Sequence, residues 1–136
     1  MDQFLKRTRL KISRHWTKGG ELDWVSRKLT PKIRKRFGKL YGRSFKDSGI
    51  FVKISQADFG NFKGQVRAAT KFLKGNEDEL RQLRSYKGVE RVYLDFGVGG
   101  ISEGFASVHY VLPESLLNLA GLLRIQIVIT QYAVCD

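Results

Sequence analysis

Hydrophobic and polar positions alternate in four segments of the chain after residue 49. A period of two places successive side chains on opposite faces of an extended chain, so the alternation predicts half-buried strands. The four segments are residues 50–55, 91–96, 105–110 and 125–130. In the second segment, for example, we expect Val92, Leu94 and Phe96 to face the core.

Helices are predicted between these strands, where hydrophobic side chains recur at steps of three and four. The first such stripe runs from Phe62 to a helix end at Gly75. Asn76 and Glu79 resemble a capping box, which predicts a second short helix directly after the first. Pro113 suits the first turn of a third helix.

The order of elements from residue 50 is therefore strand, split helix, strand, strand, helix, strand. Two crossovers that fold onto one four-stranded antiparallel sheet produce the α+β ferredoxin-like architecture. We predict such a domain over residues 50–136, with all of its helices on one face of the sheet. The other face is expected to carry aromatic, cationic and polar side chains: Phe51, Lys53, Arg91, Tyr93, Phe105, Ser107, His109, Gln126 and Thr130.

Residues 1–49 form a basic strand-and-helix extension in this interpretation. Residues 3–14 alternate loosely and predict a strand, and Lys18–Gly20 predicts a turn. A hydrophobic stripe from Leu22 to Leu40 predicts two helical pieces with a kink at Pro31. This extension could cover the uncovered face of the sheet, and so could a second copy of the chain in a homodimer.

Charge is the bulk property that changes this picture most. The 136 residues include 25 Lys and Arg against 13 Asp and Glu, for a net charge of +12. Residues 1–50 hold 15 of these bases and 4 of the acids, so the excess is concentrated there. A one-sided positive field attracts polyanions, among which nucleic acid is the commonest in a cytoplasm. We expect phosphates to contact the basic residues of this region: Arg7, Arg9, Lys32, Arg34, Lys35, Arg36, Lys39 and Arg43.

Two segments resemble signatures of the RNA-recognition motif. Gly104–Tyr110 resembles the third-strand signature of that family, and Ile50–Ser55 is similar to its first-strand signature. Two positions depart from the third-strand pattern, namely Glu103 and Ser107. The resemblance implies a ferredoxin-like, RNA-binding domain in which Phe51 and Phe105 stack on bases.

The C-terminal half carries a second resemblance. From Glu79 onward, and especially in Leu112–Leu117 and Ile125–Ile129 with Tyr132, it looks like a family of small bacterial proteins of unknown function. Some members of that family resemble toxin-immunity proteins. The resemblance implies a protein-binding inhibitor or immunity-type factor that docks on an acidic partner, which is the alternative to nucleic-acid binding.

The sequence shows no constellation typical of an enzyme. Its acids are scattered, and it has neither metal-ligand spacing nor a glycine fingerprint for a nucleotide cofactor, so we expect binding without catalysis, metal or cofactor. A metal-independent ribonuclease that uses His15 is the second alternative. The single cysteine, Cys135, excludes an internal disulfide. No apolar stretch suits a membrane span or a secretory signal, so we expect a soluble cytoplasmic protein without a membrane partner.

Overall fold

The computed structural model describes residues 6–20, 45–100 and 107–132. The chain divides into two compact units, the first made of Met1–Arg7 and Lys11–Val52, the second of Thr8–Leu10 and Lys53–Asp136. The helices predicted between Leu22 and Leu40 lie outside the described residues. The main boundary follows Val52, so the strand predicted at residues 50–55 is divided between the two units.

The described part of the first unit contains a two-stranded antiparallel sheet. Its strands are β1 (Arg14–Trp16) and β2 (Gly49–Phe51), with Trp16 opposite Gly49. The Trp16 indole lies so close to Gly49 that a Cβ atom there would overlap a ring carbon. Only glycine allows the ring to approach the backbone in this way, so the last residue pair of the sheet depends on Gly49.

The turn predicted after β1 is confirmed at Lys18–Gly20. Gly19 has a φ of 83°, a left-handed conformation that glycine adopts without steric cost. The Phe45 N–H donates to the carbonyl of Gly20 at 3.0 Å, which returns the chain toward β2. Of the strand predicted over residues 3–14, the described residues 6–13 form no strand, and β1 begins at Arg14.

The second unit has three helices within its described residues: α1 (Phe62–Gly75), α2 (Glu77–Ser85) and α3 (Glu114–Leu122). All three lie where the hydrophobic spacing predicts them, and α1 ends at the predicted glycine. The stripe that predicted α1 is buried in full: Phe62, Val66, Ala69 and Leu73. An amphipathic helix forms here because one apolar face can be buried while the other stays in water.

Asparagine side chains close both ends of α1. Asn61 accepts a hydrogen bond from the Gly64 N–H at 2.9 Å, as a helix N-cap does. Asn76 donates instead to the carbonyl of Phe72 at 2.9 Å and makes no cap bond to α2. The predicted helix α2 therefore exists, but the predicted capping box is wrong. α1 and α2 meet at Asn76, and the Asn76 side chain hydrogen-bonds to α1.

Among its described residues, the second unit has a sheet of two parallel strands. β3 (Tyr93–Val98) and β4 (Gln126–Gln131) pair from Tyr93 opposite Gln126 to Val98 opposite Gln131. α3 lies in the connection between them, since parallel neighbours cannot be joined by a tight turn. On β3, Leu94 and Phe96 are buried as predicted. Val92, the third predicted core residue, precedes the strand and is only half-buried, whereas Val98, which lies beyond the predicted strand, is buried. The Phe62 ring of α1 packs on Phe96 with 5.5 Å between centroids, so this face of the sheet is the one that the helices cover.

The predicted four-stranded antiparallel sheet is not present among the described residues, which form two sheets of two strands each. Ile50 and Phe51 pair with β1, residues 107–110 form no strand, and residues 105–106 lie outside the described part. The fold remains a mixture of helices and strands, as expected. Alternation along the chain marked the positions of β3 and β4 to within two residues, although Ile129 of β4 is exposed. It did not identify the partners of the strands, because pairing depends on contacts between distant residues.

Candidate nucleic-acid interface

One face of the β3–β4 sheet is turned away from the helices, and we call it the open face. Alternate residues of the two strands form it: Tyr93, Asp95, Gly97, Gln126, Val128 and Thr130. Tyr93 is 54% exposed and Val128 is 38% exposed. On the opposite face Leu94 and Phe96 of β3 are buried, whereas Ile129 of β4 is exposed. The open face is therefore a surface that a ligand can reach.

Two aromatic rings lie across the open face at Gly97. The ring of Phe59 stacks on that of Tyr132 with 4.6 Å between centroids and 16° between planes. A Cβ atom at Gly97 would stand 2.6 Å from a ring carbon of Phe59 and 3.3 Å from one of Tyr132. Glycine thus lets both rings approach the strand. They are 52% and 46% exposed, so ring surface stays accessible to a flat ligand.

A buried glutamine holds the turn that carries Phe59. Gln65 of α1 donates through Nε2 to the carbonyl of Gly97 at 2.7 Å and to that of Asp58 at 2.9 Å. The Gly99 N–H donates to the carbonyl of Phe59 at 3.3 Å. These bonds satisfy a buried amide, and they tie the turn to both α1 and β3.

The other end of the open face combines an aromatic ring with two cations. Tyr93 lies opposite Gln126. Arg91 stands two residues before Tyr93, and Arg124 stands two residues before Gln126, so both arginines lie at the start of the two parallel strands. Both arginines are exposed. Arg124 has a φ of 53°, a left-handed conformation uncommon outside glycine, where the chain turns from α3 into β4. An exposed ring and two arginines at the same end of a sheet suit a base and its phosphates.

A hydrogen-bonded pair separates the two aromatic ends. The hydroxyl of Thr130 donates to Oδ1 of Asp95 at 2.6 Å, which joins β4 to β3 across the open face. Asp95 is the acidic member of the open face, and its negative charge opposes a phosphate placed above it. The two aromatic ends are therefore the attractive parts of this surface for a polyanion, and the centre is not.

The structure does not bring the predicted aromatic residues together on one sheet. Tyr93 lies on β3, Phe51 lies on β2 in the first unit, and Phe105 lies outside the described residues. The Arg14 guanidinium stands over the Phe51 ring, 5.5 Å from its centroid. The prediction that Phe51 shares a sheet with Tyr93 is wrong because β1, and neither β3 nor β4, is the strand that pairs with β2.

The predicted cationic residues fall into two groups. Those that the structure describes are all exposed: Arg7, Arg9, Lys53, Arg91 and His109. The remainder lie outside the described residues: Lys32, Arg34, Lys35, Arg36, Lys39 and Arg43. His15, the residue of the ribonuclease alternative, is exposed on β1 opposite Ile50.

Three residues of the candidate site were not predicted from the sequence: Phe59, Tyr132 and Arg124. Tyr132 continues the alternation of Val128 and Thr130, so the pattern could have identified it. Phe59 stands in a turn and Arg124 in a tight helix-to-strand connection, and neither position has a periodic signal. Their place in the site depends on how the turns pack against the sheet.

Within the described ranges, no three His, Cys, Asp or Glu side chains are grouped so that they could hold a metal ion. None of the helices described above is long and apolar enough to cross a membrane.

Comparison with protein-family profiles, curated protein sequences and solved structures finds no match for this chain. The resemblances to the RNA-recognition motif and to the small bacterial family stay predictions from the sequence.

Proposed function

We propose that this protein binds RNA or another single-stranded nucleic acid without catalysing a reaction, and that bases stack on the open face. The observation that carries the proposal is the exposed ring of Tyr93, with Arg91 and Arg124 at the same end of the sheet. The stacked Phe59–Tyr132 pair supports it, because it offers a second exposed aromatic surface on the same face.

The two aromatic ends are suited to unpaired bases. Tyr93 and Gly97 are four residues apart on β3, or ~13 Å along the strand. A short oligonucleotide can therefore reach both ring sites at once. Each base that stacks on an aromatic side chain contributes about 1–3 kcal/mol. In a duplex the bases stack on one another and offer no free face, so we expect this surface to prefer single strands.

The basic first third of the chain supplies the phosphate contacts in this proposal. Residues 1–50 carry 15 of the 25 Lys and Arg, including the run Arg34–Arg36, which lies outside the described residues. Phosphate contacts add affinity without reading sequence, because they release condensed counterions. Replacing Arg34, Lys35 and Arg36 together by Ala should weaken binding of all sequences and flatten its dependence on salt. Unchanged binding would remove these residues from the proposal.

The stacking role is tested by two substitutions at one position. Tyr93→Leu keeps an apolar side chain but removes the ring, and we expect about tenfold weaker binding of a labelled single-stranded oligonucleotide, measured by fluorescence anisotropy. Tyr93→Phe keeps the ring, so its affinity should stay within about twofold of the native protein. The duplex of the same sequence is the second ligand, and its affinity should change little in either variant.

Two results would contradict the stacking role. One is equal affinity of Tyr93→Leu and Tyr93→Phe for the single strand, which would show that the ring does not contribute. The other is an equal loss for single strand and duplex, which would show that the open face does not distinguish them. Thermal unfolding of both variants controls for a change in stability.

Docking on an acidic protein is the second candidate function. Three large apolar side chains before and along α3 favour it because they are exposed: Val111 at 74%, Leu117 at 46% and Leu122 at 66%. Exposed apolar residues on a basic protein can anchor a protein partner. The dependence of binding affinity on salt concentration distinguishes the two functions. A nucleic-acid complex should lose affinity with a log–log slope of about −0.7 to −0.9 per phosphate contact, whereas an apolar interface should keep most of its affinity.

A further inference from the structure

We infer a separate binding site for a phosphate monoester in a groove between α1 and the start of α3. The groove has a volume of about 420 Å³. Its α1 side is formed by Val66, Arg67, Thr70, Lys71 and Lys74, and its α3 side by Pro113 and Ser115. α1 covers the face of the sheet opposite the open face, so this site does not depend on the function proposed above.

Three cations from one helix line the groove. Arg67, Lys71 and Lys74 follow one another at steps of four and three, so their side chains lie on one face of α1. They span ~10 Å along the helix axis, and all three are exposed. Among the described residues none of them has a carboxylate partner, whereas Arg81 on α2 pairs with Glu77 at 2.7 Å. Like charges on adjacent turns repel, and an anion between them removes that repulsion.

The α3 side of the groove supplies hydrogen-bond donors. The hydroxyl of Ser115 makes no hydrogen bond within the part of the chain that the structure describes. Its N–H lies in the first turn of α3, where helix geometry provides no acceptor, and no side chain caps that end. The hydroxyl of Thr70, by contrast, already donates to the carbonyl of Val66 at 2.9 Å. Ser115 is therefore the polar side chain that can turn toward an anion from this side.

The number of charges and the size of the groove indicate the class of ligand. A phosphate monoester carries nearly two negative charges and three acceptor oxygens, which a guanidinium and two ammonium groups can share. A carboxylate or a phosphodiester carries only one charge. The groove is also larger than a phosphate ion, and Val66 and Pro113 give it apolar walls. The ligand therefore has an organic part about the size of a nucleoside.

Calorimetric titration of the full chain with adenosine 5′-monophosphate tests this site, with adenosine and inorganic phosphate as the two partial ligands. We expect the monophosphate to bind more tightly than phosphate, and adenosine to bind much more weakly than either. Lys71→Gln should weaken binding of the monophosphate by about tenfold, the loss of one charge-assisted hydrogen bond. Lys63→Gln is the matched control, because it removes the same charge from the same face of α1 outside the groove. Its affinity should stay within about twofold of native.

Several outcomes would overturn the inference. They are no measurable binding of the monophosphate, adenosine binding as tightly as the monophosphate, and equal weakening by Lys71→Gln and Lys63→Gln. The last result would show attraction by net charge alone. Equal thermal unfolding midpoints of the two variants exclude a difference in folding.

A comparison of a 5′-phosphorylated oligonucleotide with its 5′-hydroxyl form identifies the source of the phosphate. Preference for the phosphorylated form, lost in Lys71→Gln, would support a nucleic-acid end as the ligand. No preference, with the monophosphate still bound, would support a free nucleotide. Tyr93→Leu should leave monophosphate binding unchanged, so that failure of the open face and failure of the groove are distinguishable.

Discussion

The two sides of the second unit present different chemistry to a ligand. The open face of the β3–β4 sheet carries aromatic rings at both ends with Asp95 between them. The helical side carries three cations along the groove between α1 and α3. We therefore expect a nucleic-acid base to bind on one side and a phosphate on the other side of the buried layer between the helices and the β3–β4 sheet. Net charge alone therefore does not predict which side binds which group.

The same helix contributes to both sides in different ways. Gln65 of α1 points inward and holds the turn that places Phe59 on the open face. Arg67, two residues later on α1, points outward into the groove. A period of 3.6 residues makes this division possible, because neighbouring positions of a helix face different surroundings. Variants in the shared layer should affect both sides, and variants on one face should affect one.

We expect the largest effect on stability and binding from a substitution in the buried layer between the helices and the sheet. Leu116 is 0% exposed, and Leu116→Ala should lower the free energy of unfolding by about 2–5 kcal/mol. Oligonucleotide and monophosphate binding should then fall together. The adjacent Leu117 is 46% exposed, so Leu117→Ala is the matched control and should change stability by less than about 1 kcal/mol. Urea unfolding measures both, and equal losses in the two variants would contradict the assignment of the core.

A clash at Gly97 should affect the open face alone. The Cβ atom of Gly97→Ala would stand 2.6 Å from the Phe59 ring, so the stack must shift, at a cost of about 1–3 kcal/mol. Single-strand binding should weaken while monophosphate binding in the groove stays unchanged. Gly121→Ala is the control, because a Cβ atom there meets nothing within 4 Å. If single-strand binding survives Gly97→Ala unchanged, the Phe59–Tyr132 pair is not part of the interface.

Removing the buried side-chain amide of Gln65 should also weaken single-strand binding, but by less than Gly97→Ala. Gln65→Met keeps the size of the side chain but leaves the carbonyls of Asp58 and Gly97 without this donor, which we expect to cost about 1–2 kcal/mol. The turn at Phe59 should loosen, with a severalfold loss of single-strand affinity. Gln82→Met on the exposed side of α2 is the control. A variant that loses stability but keeps its full affinity would show that Phe59 does not need this support.

The smallest effect should have the opposite sign. Asp95→Asn removes the negative charge from the centre of the open face and keeps an oxygen that can accept from Thr130. We expect single-strand binding to tighten by about twofold, the scale of an exposed charge interaction. Asp78→Asn, exposed on α2, makes the same change of charge elsewhere and should have less effect. Equal tightening in both would show that only net charge matters.

The helices α1 to α3 and the positions of β3 and β4 were predictable because their signals are local. The stripe from Phe62 to Leu73 predicted α1, and the alternation of Leu94 and Phe96 predicted β3. The role of Asn76 was not predictable, because its side chain satisfies a carbonyl of the preceding helix rather than the cap of the next. An asparagine at this position can cap either the end of α1 or the start of α2, and the packing of the two helices decides which.

The candidate site was predicted in part. The exposure of Tyr93 and Arg91 followed from alternation, and the structure agrees with it. Phe51 was expected beside Tyr93, but β2 pairs with β1 and the Phe51 ring lies under Arg14. Two strands of equal local character can accept different partners, so alternation does not say which of them share a sheet.

The positions of α1 to α3, the outward placing of Tyr93 on β3 and the concentration of positive charge in residues 1–50 can be read from the amino-acid sequence alone. These properties depend on neighbouring residues or on composition, so no knowledge of distant contacts is needed. Three features appear only in the folded chain: β3 pairs in parallel with β4, Phe59 and Tyr132 meet over Gly97, and the cations of α1 line a groove with Ser115. Each of these joins residues far apart in the chain, and they form because burying the apolar faces of the helices and the sheet together outweighs the loss of chain entropy.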